Sequence, residues 1–208
     1  MKTDLPSWGP VPGPRSRTPT RPCSRLVSPA VAKREWVHLT SEQLEADEAL
    51  SGAIDRFEAP PTPAGEAATE WLKRSALQRS SHVATYVLVE DDQVLAFYSL
   101  GMGEVELRTQ HRKKLESNHP RVGAAVVLWL ARADDAEVGA ETILHHAVGI
   151  AQIAGRHVGA GVIALDPFDS ATESFWRERF GFRASLTRRR DANGEDRPRL
   201  WMPLFPDD

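Results

Sequence analysis

Between residues 40 and 80, hydrophobic residues recur at the spacing that is typical of α-helices. A hydroxyl at Thr40 or Ser41 begins the first predicted helix, which ends near Gly52. A second helix is predicted over residues 66–80, where the apolar positions leave Glu70 and neighbouring charged side chains for solvent. Between them, a run of prolines after residue 59 interrupts the chain.

The hydrophobic period then changes from helical to extended. β-Branched and aromatic residues fill 85–89 and 94–100, and the acidic pair at 91–92 joins them, which predicts a β-hairpin. Residues 108–119 are charged and irregular, which indicates a loop or a poorly ordered helix. Residues 124–131 are almost wholly apolar, which predicts a strand that is buried on both faces.

Helices and strands alternate in the C-terminal part. The predicted elements are a helix over 140–154 that stops at Gly155, a strand over 161–165, a helix from Ser170 to about Arg179 capped by Asp169, a strand that starts within 180–182, and a last strand over 198–204. A hairpin followed by a βαβ crossover implies a mixed central sheet with helices on both faces. The predicted fold class is therefore α/β (α+β), in one domain.

The first 32 residues differ from the rest in composition. Seven of the 15 prolines lie within the first 30 residues, and five basic residues there are opposed by Asp4 alone. Proline fixes φ and removes backbone donors, so we predict that 1–32 is a disordered Pro/Arg-rich tail and that 33–208 is the folded domain. The tail is interpreted as a solvated segment without a role, with a weak electrostatic arm for RNA or an acidic partner as the alternative.

Overall composition narrows the class of protein. The 208 residues are 41% hydrophobic and carry a net charge of −3, which fits a globular protein and not a bulk nucleic-acid binder. We expect no membrane partner, because apolar runs stay well short of the roughly 20 residues that span a bilayer. One cysteine, Cys23, forms no internal disulfide and no cysteine zinc site, so we expect a cytoplasmic protein without a metal.

Four segments together resemble a known family. They are Phe57 with Trp71-Leu72-Lys73-Arg74, the hairpin of 85–100, the strand, turn and helix of 128–147, and 160–182 with its Phe175-Trp176 and Phe180-Gly181-Phe182. Their order and spacing resemble the GNAT superfamily of acyl-CoA-dependent N-acetyltransferases, and more narrowly the toxin-type branch of bacterial toxin–antitoxin pairs. The resemblance implies a GNAT-like fold, acetyl-CoA as co-substrate, and a primary amine as acyl acceptor.

The turn before the predicted helix at 140 suits a phosphate. A helix N-terminus exposes unpaired N–H groups and a partial positive charge, and small residues such as Gly139 and Ala140 let phosphate oxygens approach them. By the resemblance, the cofactor-binding residues are Leu128, Leu130, Arg132, Val138, Gly139, Ala140, Glu141 and Thr142.

This turn also departs from the family pattern. Asp135 stands where the family has Gln or Arg, and Ala136, Val138 and Ala140 stand where it has glycine. Valine adopts positive φ with difficulty. Four acidic residues, Asp134, Asp135, Glu137 and Glu141, would place negative charge near a bound pyrophosphate. The alternative is an ordinary strand-to-helix turn whose acids interact with the helix dipole.

The resemblance also implies catalytic roles. A backbone N–H near Leu128 to Leu130, assigned to Leu130, would polarise the thioester carbonyl. The family's tyrosine acid would fall on Arg177, or on Trp176 after a one-residue slip, and neither side chain is acidic at neutral pH. Arg177 could instead hold a phosphate or a carboxylate, and Trp176 could belong to the core.

Asp166 ends a buried strand, where ligands of α/β proteins often bind. It is predicted to bind the substrate amine, or else to cap the turn at Pro167.

The acceptor could be an aminoacyl-tRNA, a protein amine or a small amine, and an antitoxin and a second copy of the chain are candidate partners. Residues 188–190 form either a solvated hairpin end or an RNA-facing patch. The alternative function is a catalytically inactive GNAT-fold binding module.

Overall fold

The computed structural model describes residues 33–76, 82–191 and 194–205, so the predicted tail of 1–32 lies outside the described residues. The strands are Arg34–His38 (β1), Val83–Glu90 (β2), Gln93–Glu106 (β3), Arg121–Arg132 (β4), Val162–Leu165 (β5), Arg183–Arg190 (β6) and Asp196–Pro203 (β7). The helices are Ser41–Ala46 (α1), Glu48–Arg56 (α2), Pro63–Arg74 (α3), Thr109–Lys114 (α4), Ala140–Val158 (α5) and Ser170–Phe180 (α6).

One mixed sheet organises these elements. Its strands lie in the order β1-β2-β3-β4-β5-β7-β6, and every neighbouring pair is antiparallel except β4 and β5. The parallel pair is joined through α5, as the predicted βαβ crossover requires. The predicted hairpin is β2–β3, with Asp91 in the left-handed region at the turn. The expected α/β class and mixed sheet are confirmed.

Helices cover both faces of the sheet. Successive residues of a strand point to opposite faces, and in β3 the hydroxyl of Tyr98 lies 2.7 Å from Nδ1 of His146 on α5. The neighbouring Phe97 stacks on Trp71 of α3, with ring centroids 6.0 Å apart. Helix α5 therefore packs on one face and α3 on the other, as predicted. Within the described ranges, the helices are too short or too polar to cross a membrane.

Three predicted helices have different limits in the structure, and α3, predicted over 66–80, runs from Pro63 to Arg74. The first is split at Asp47, whose backbone ends α1 and whose carboxylate accepts from Leu50 N–H at 3.0 Å to cap α2. Helix α5 does not stop at Gly155 but continues to Val158, and Gly159 ends it with a φ of 75°. Gly155 is small for a packing reason, because a Cβ there would lie 2.8 Å from the carbonyl oxygen of Ala160.

Three expectations about the strands are corrected. Strand β1 was not predicted, because its five residues are mostly charged or half-exposed at the edge of the sheet. Strand β6 begins only at Arg183, since Gly181 adopts a φ of 71° and ends α6. Strand β4 is not buried throughout, because Leu128 is 43% exposed.

Candidate functional site

A β-bulge interrupts the pairing of β4 with β3. Ser99 pairs with Trp129, but the next residue, Leu100, pairs with Val127, so Leu128 has no partner in β3. The extra residue of a bulge is left outside the hydrogen-bond ladder and re-aims the strand locally. The bulge therefore explains both why the Leu128 side chain is exposed and why Leu128 has no partner in β3.

The same point on β4 is where its other neighbour ends. The last β4–β5 pair is Val127 with Leu165, and β5 stops there. From Leu128 to Arg132, one edge of β4 therefore has no adjoining strand. The gap is a cleft between α3 and α6, with an inner cavity of about 270 Å³ and an outer cavity of about 460 Å³ that share Leu130.

The inner cavity contains several predicted site residues. Leu128, Leu130, Asp166 and Trp176 all line it, together with Phe175, which sequence reasoning did not single out. Trp176 is 9% exposed and packs against Phe180 and Phe182, so it is both a wall of the cleft and part of the core. Arg177 lines neither cavity and instead pairs with Glu173 at 3.2 Å.

The outer cavity lies at the N-terminus of α5. Leu130, Arg132 and the consecutive residues Val138, Gly139, Ala140 and Glu141 line it, whereas Thr142 does not. Within the described ranges, the N–H groups of 138–140 donate to no other residue. These residues therefore offer a row of free donors to an anion in the cleft.

The turn at 133–139 reaches this arrangement without glycine-type dihedrals. None of its residues has a positive φ, so valine at 138 is accommodated, with its side chain buried beside the core. Arg132 secures the turn from inside. Its Nη1 donates to the carbonyl oxygens of Ala133 and Asp134 at 3.3 Å and of Ala136 at 2.8 Å.

The acids of the turn do not all face the cleft. Asp134 and Asp135 line a separate cavity of about 320 Å³ beside Arg56 of α2. Of the four acidic residues in and after the turn, Glu141 alone lines the cleft. Glu141 is therefore the one of the four acids placed to contact a bound pyrophosphate directly.

Glu141 occupies the helix terminus itself. Its carboxylate accepts from its own backbone N–H and from Nε of Arg179 at 2.7 Å, and these contacts lower the pKa of Glu141, the backbone bond most strongly. Arg179, which sequence reasoning also missed, projects from α6 into the outer cavity. A carboxylate and a guanidinium thus meet beside the free N–H groups of 138–140.

Both tyrosines of the chain lie away from the cleft. Tyr98 is fully buried under α5, and burial raises its pKa far above the usual range. Its hydroxyl partner, His146, stacks on Trp36 with ring centroids 4.5 Å apart, and burial lowers the pKa of His146. These residues form a packed aromatic cluster, so the cleft has no tyrosine in its walls.

Asp166 is held by an arginine of β7. Nε and Nη2 of Arg199 donate to Oδ1 and Oδ2 of Asp166 at 2.8 and 2.6 Å, and Nη1 lies 3.5 Å from the carbonyl oxygen of Glu104. Arg199 is 6% exposed, while the Asp166 side chain is 36% exposed and lines the inner cavity. The pair fixes one carboxylate at the point where β4 and β5 separate.

Comparisons with known proteins were made on both sequence and structure. No family model matches the chain, and no curated protein matches it significantly. Among solved structures, AtaT complexed with acetyl-methionyl-tRNAfMet is 19% identical, with a TM-score of 0.63 over 82% of this chain and 95% of that chain. A Tyr-to-Phe mutant of KacT is 17% identical, with a TM-score of 0.62 over 82% and 95%.

A third structure is the AtaT toxin bound to the C-terminus of the antitoxin AtaR and acetyl-CoA. It is 18% identical, with a TM-score of 0.56 over 83% of this chain and 94% of that chain. The chain has the fold of AtaT and KacT. The expected GNAT-like fold is therefore confirmed, and the match covers nearly all of the predicted domain.

Proposed function

We propose that the protein is an N-acetyltransferase that transfers the acetyl group of acetyl-CoA to a primary amine. One observation carries the proposal: the bulged, unpaired edge of β4 and the free N–H groups at 138–140 open into one cleft. The fold supports it, because AtaT in the same fold has been solved bound to acetyl-CoA.

The residues of the cleft fit an acyl-CoA with one reservation. The inner cavity and the edge from Leu128 to Arg132 offer an apolar groove with backbone donors, and 138–140 offer N–H groups to a pyrophosphate. Glu141 must give up its own N–H when a phosphate binds there. Arg179 is then released from Glu141 and becomes a cationic partner for the phosphate.

The chemistry assigned to this chain is mainly positioning and polarisation. Acetyl-CoA supplies the activated thioester. Backbone N–H groups at Leu128 to Leu130 polarise the carbonyl oxygen while the neutral amine forms the new N–C bond and the C–S bond breaks. Because no tyrosine lines the cleft and Trp176 is not acidic, the departing thiolate takes its proton from water, which also accepts the proton lost by the amine.

Asp166 is proposed to receive the acceptor. Arg199 occupies two lone-pair directions of its carboxylate, and the remaining ones can accept from the ammonium group of the acceptor before it loses a proton.

An aminoacyl-tRNA is the proposed acceptor class, supported by the complex of AtaT with acetyl-methionyl-tRNAfMet. An antitoxin is the proposed protein partner, supported by the AtaT–AtaR complex. A homodimer and a cytoplasmic location remain predictions.

The test is a transfer assay with the full chain, acetyl-CoA and three acceptor classes: an aminoacyl-tRNA with a free α-amino group, a lysine peptide and a small alkylamine. We expect release of free CoA together with acetylation of the tRNA-linked amino acid. In Asp166→Asn, the acceptor KM should rise about tenfold while the Kd for acetyl-CoA is unchanged. Acetyl-CoA binding without transfer to any class would instead favour the inactive binding module.

A further inference from the structure

A further, smaller cavity lies on the other face of the sheet from the inner cavity. It has a volume of about 170 Å³ and is lined by His111 and Lys114 of α4, Arg183 of β6, and Trp201 and Pro203 of β7. Trp201 and Pro203 pair with Ala164 and Val162 of β5, whereas Leu165, which lines the inner cavity, points to the opposite face. The sheet therefore separates the two cavities.

Three basic side chains surround this cavity without a matching carboxylate. Within the described ranges, His111, Lys114 and Arg183 form no ion pair, whereas Arg188, Arg197 and Arg199 of β6 and β7 do. Nε2 of His111 lies 3.5 Å from Nε2 of Gln110. The pKa of His111 is lowered by burial and then by the positive charges of Arg183, Arg108 and Lys114.

Trp201 forms the buried wall of the cavity. It is 1% exposed, and its indole Nε1–H has no hydrogen-bond acceptor among the described residues. A buried donor without an acceptor is costly unless something else pairs with it. The ring centroid of His111 lies 5.2 Å from that of Trp201, and the guanidinium of Arg183 lies 5.8 Å from the ring centroid of Trp201.

We propose that the cavity between α4, β6 and β7 is a binding site for a phosphate monoester. Lys114 and Arg183 supply the countercharge, His111 supplies a directed N–H donor, and the Trp201 ring forms the wall against which the ligand rests. The small volume admits the phosphate group and leaves the rest of the ligand outside. The dianion of a monoester matches the surplus of positive charge better than the single charge of a phosphodiester.

The proposal does not depend on the acetyltransferase activity. The cavity shares no residue with the cleft, and its ligand would bind whether or not acetyl-CoA does. A phosphorylated small molecule and the terminal phosphate of a nucleic acid present the same group. Inorganic phosphate tests whether the cavity binds the phosphate group itself. Glycerol 3-phosphate and a 5′-phosphorylated oligonucleotide then show whether the natural ligand is a small molecule or a nucleic acid.

The experiment is a titration of the full chain with inorganic phosphate, with chloride of equal ionic strength as the reference, followed by NMR of the histidine rings and tryptophan indoles. An anion beside His111 favours the imidazolium, so its pKa should rise by roughly one unit at saturation. The Trp201 indole N–H should shift with the same dissociation constant. Glycerol 3-phosphate should bind like phosphate, and dimethyl phosphate at least about fivefold more weakly.

Two variants and one control locate the effect. Lys114→Gln and Arg183→Gln should each weaken phosphate binding about fivefold to tenfold. Lys113→Gln, which removes the same charge from the same helix outside the cavity, should change it less than about twofold. If a 5′-phosphorylated oligonucleotide binds no better than glycerol 3-phosphate, the source is a small molecule; much tighter binding indicates the nucleic acid.

Two results would overturn the site. One is an unchanged His111 pKa in phosphate, both in the full chain and in the variant Asp207→Asn/Asp208→Asn, which removes the acids that follow Phe205 in the sequence. The other is an equal loss of binding in Lys113→Gln and in the cavity variants, which would show diffuse attraction to a basic surface. Binding seen in the double variant alone would support the site and identify those acids as competitors.

Discussion

At the scale of single residues, the ion pair between Glu141 and Arg179 sets the charge at the outer cavity of the cleft. The carboxylate accepts from its own backbone N–H, next to the free donors of 138–140, and it neutralises Arg179. Both side chains are more than half exposed, so their mutual attraction is weak and can be exchanged for a ligand. The affinity for acetyl-CoA should therefore respond directly to this one carboxylate.

Glu141→Gln is predicted to strengthen acetyl-CoA binding by about threefold to tenfold, because it removes a negative charge from the phosphate position and frees Arg179. Calorimetric titration of the full chain measures the effect. Glu137→Gln, an equal change in charge at a turn residue outside the cleft, should alter the affinity less than twofold. Weaker binding in Glu141→Gln would show that the carboxylate assists the ligand.

His146 makes stability depend on pH. Its folded pKa is lowered, with burial as the main cause, so below its unfolded pKa of about 6.5 the unfolded chain binds more protons at this residue than the folded chain. The stability that the neutral imidazole contributes is therefore present above pH 6.5 and decreases as the pH falls below it. The neighbouring His145 is exposed and makes no comparable contact.

We predict that the Tm falls less between pH 8 and pH 5 in His146→Asn than in the parent protein or in His145→Asn. Circular dichroism melts of the three proteins at several pH values test this, since a change of about 1 kcal/mol shifts the Tm of a domain this size by about 2–4 °C. An equal pH dependence in His146→Asn and the parent would assign the effect to other groups.

At the scale of elements, the start of α3 shapes one wall of the cleft. Pro63 occupies the first turn and Thr62 caps Gly65 N–H at 3.1 Å, which brings Gly65 against the chain before the helix. A Cβ at Gly65 would lie 2.0 Å from the carbonyl oxygen of Pro60, so any side chain displaces the turn. Pro60 and Gly65 both line the outer cavity.

Gly65→Ala is predicted to destabilise the protein by about 1–3 kcal/mol through overpacking and to weaken acetyl-CoA binding. Urea unfolding and calorimetry measure the two effects. Gly149→Ala is the matched control, because nothing lies within 4 Å of a Cβ there, and it should stabilise α5 by up to about 1 kcal/mol. Unchanged stability in Gly65→Ala would mean that the turn at Pro60 relaxes without cost.

Elements with a strong local signal were predictable from sequence. The cap at Asp169 was predicted, and Thr40 was one of the two caps proposed for the first helix; in the structure each forms a capping box. The hairpin had both β-rich strands and a turn pair. The break at Asp47 was missed because the apolar spacing continues across it, and β1 was missed because an exposed edge strand carries little hydrophobic pattern.

At the scale of the whole molecule, the backbone of the site was more predictable than its side-chain contacts. Leu130 and Gly139 could be predicted to lie near each other because they belong to one strand–turn–helix segment, and both line the outer cavity. Arg199 holds Asp166 from 33 positions away, and Arg179 reaches Glu141 from 38. Such ion pairs depend on how β7 and α6 pack, which no local pattern specifies.

The cleft also explains why the unusual turn was hard to interpret. Its missing glycines suggested a lost phosphate site, but the backbone has no positive φ there and leaves the N–H groups of 138–140 free. Arg132 takes over the stabilisation of the turn through three carbonyl oxygens. The central claim is that this altered turn still binds acyl-CoA.

The most direct test is calorimetric titration of the full chain with acetyl-CoA, in parallel with Gly139→Asp and Gly149→Asp. We expect a Kd in the micromolar range, a loss of affinity of at least about thirtyfold when a carboxylate is added at Gly139 in the cleft, and little change at Gly149 on the open side of α5. No heat from the folded parent protein at millimolar acetyl-CoA would contradict this expectation.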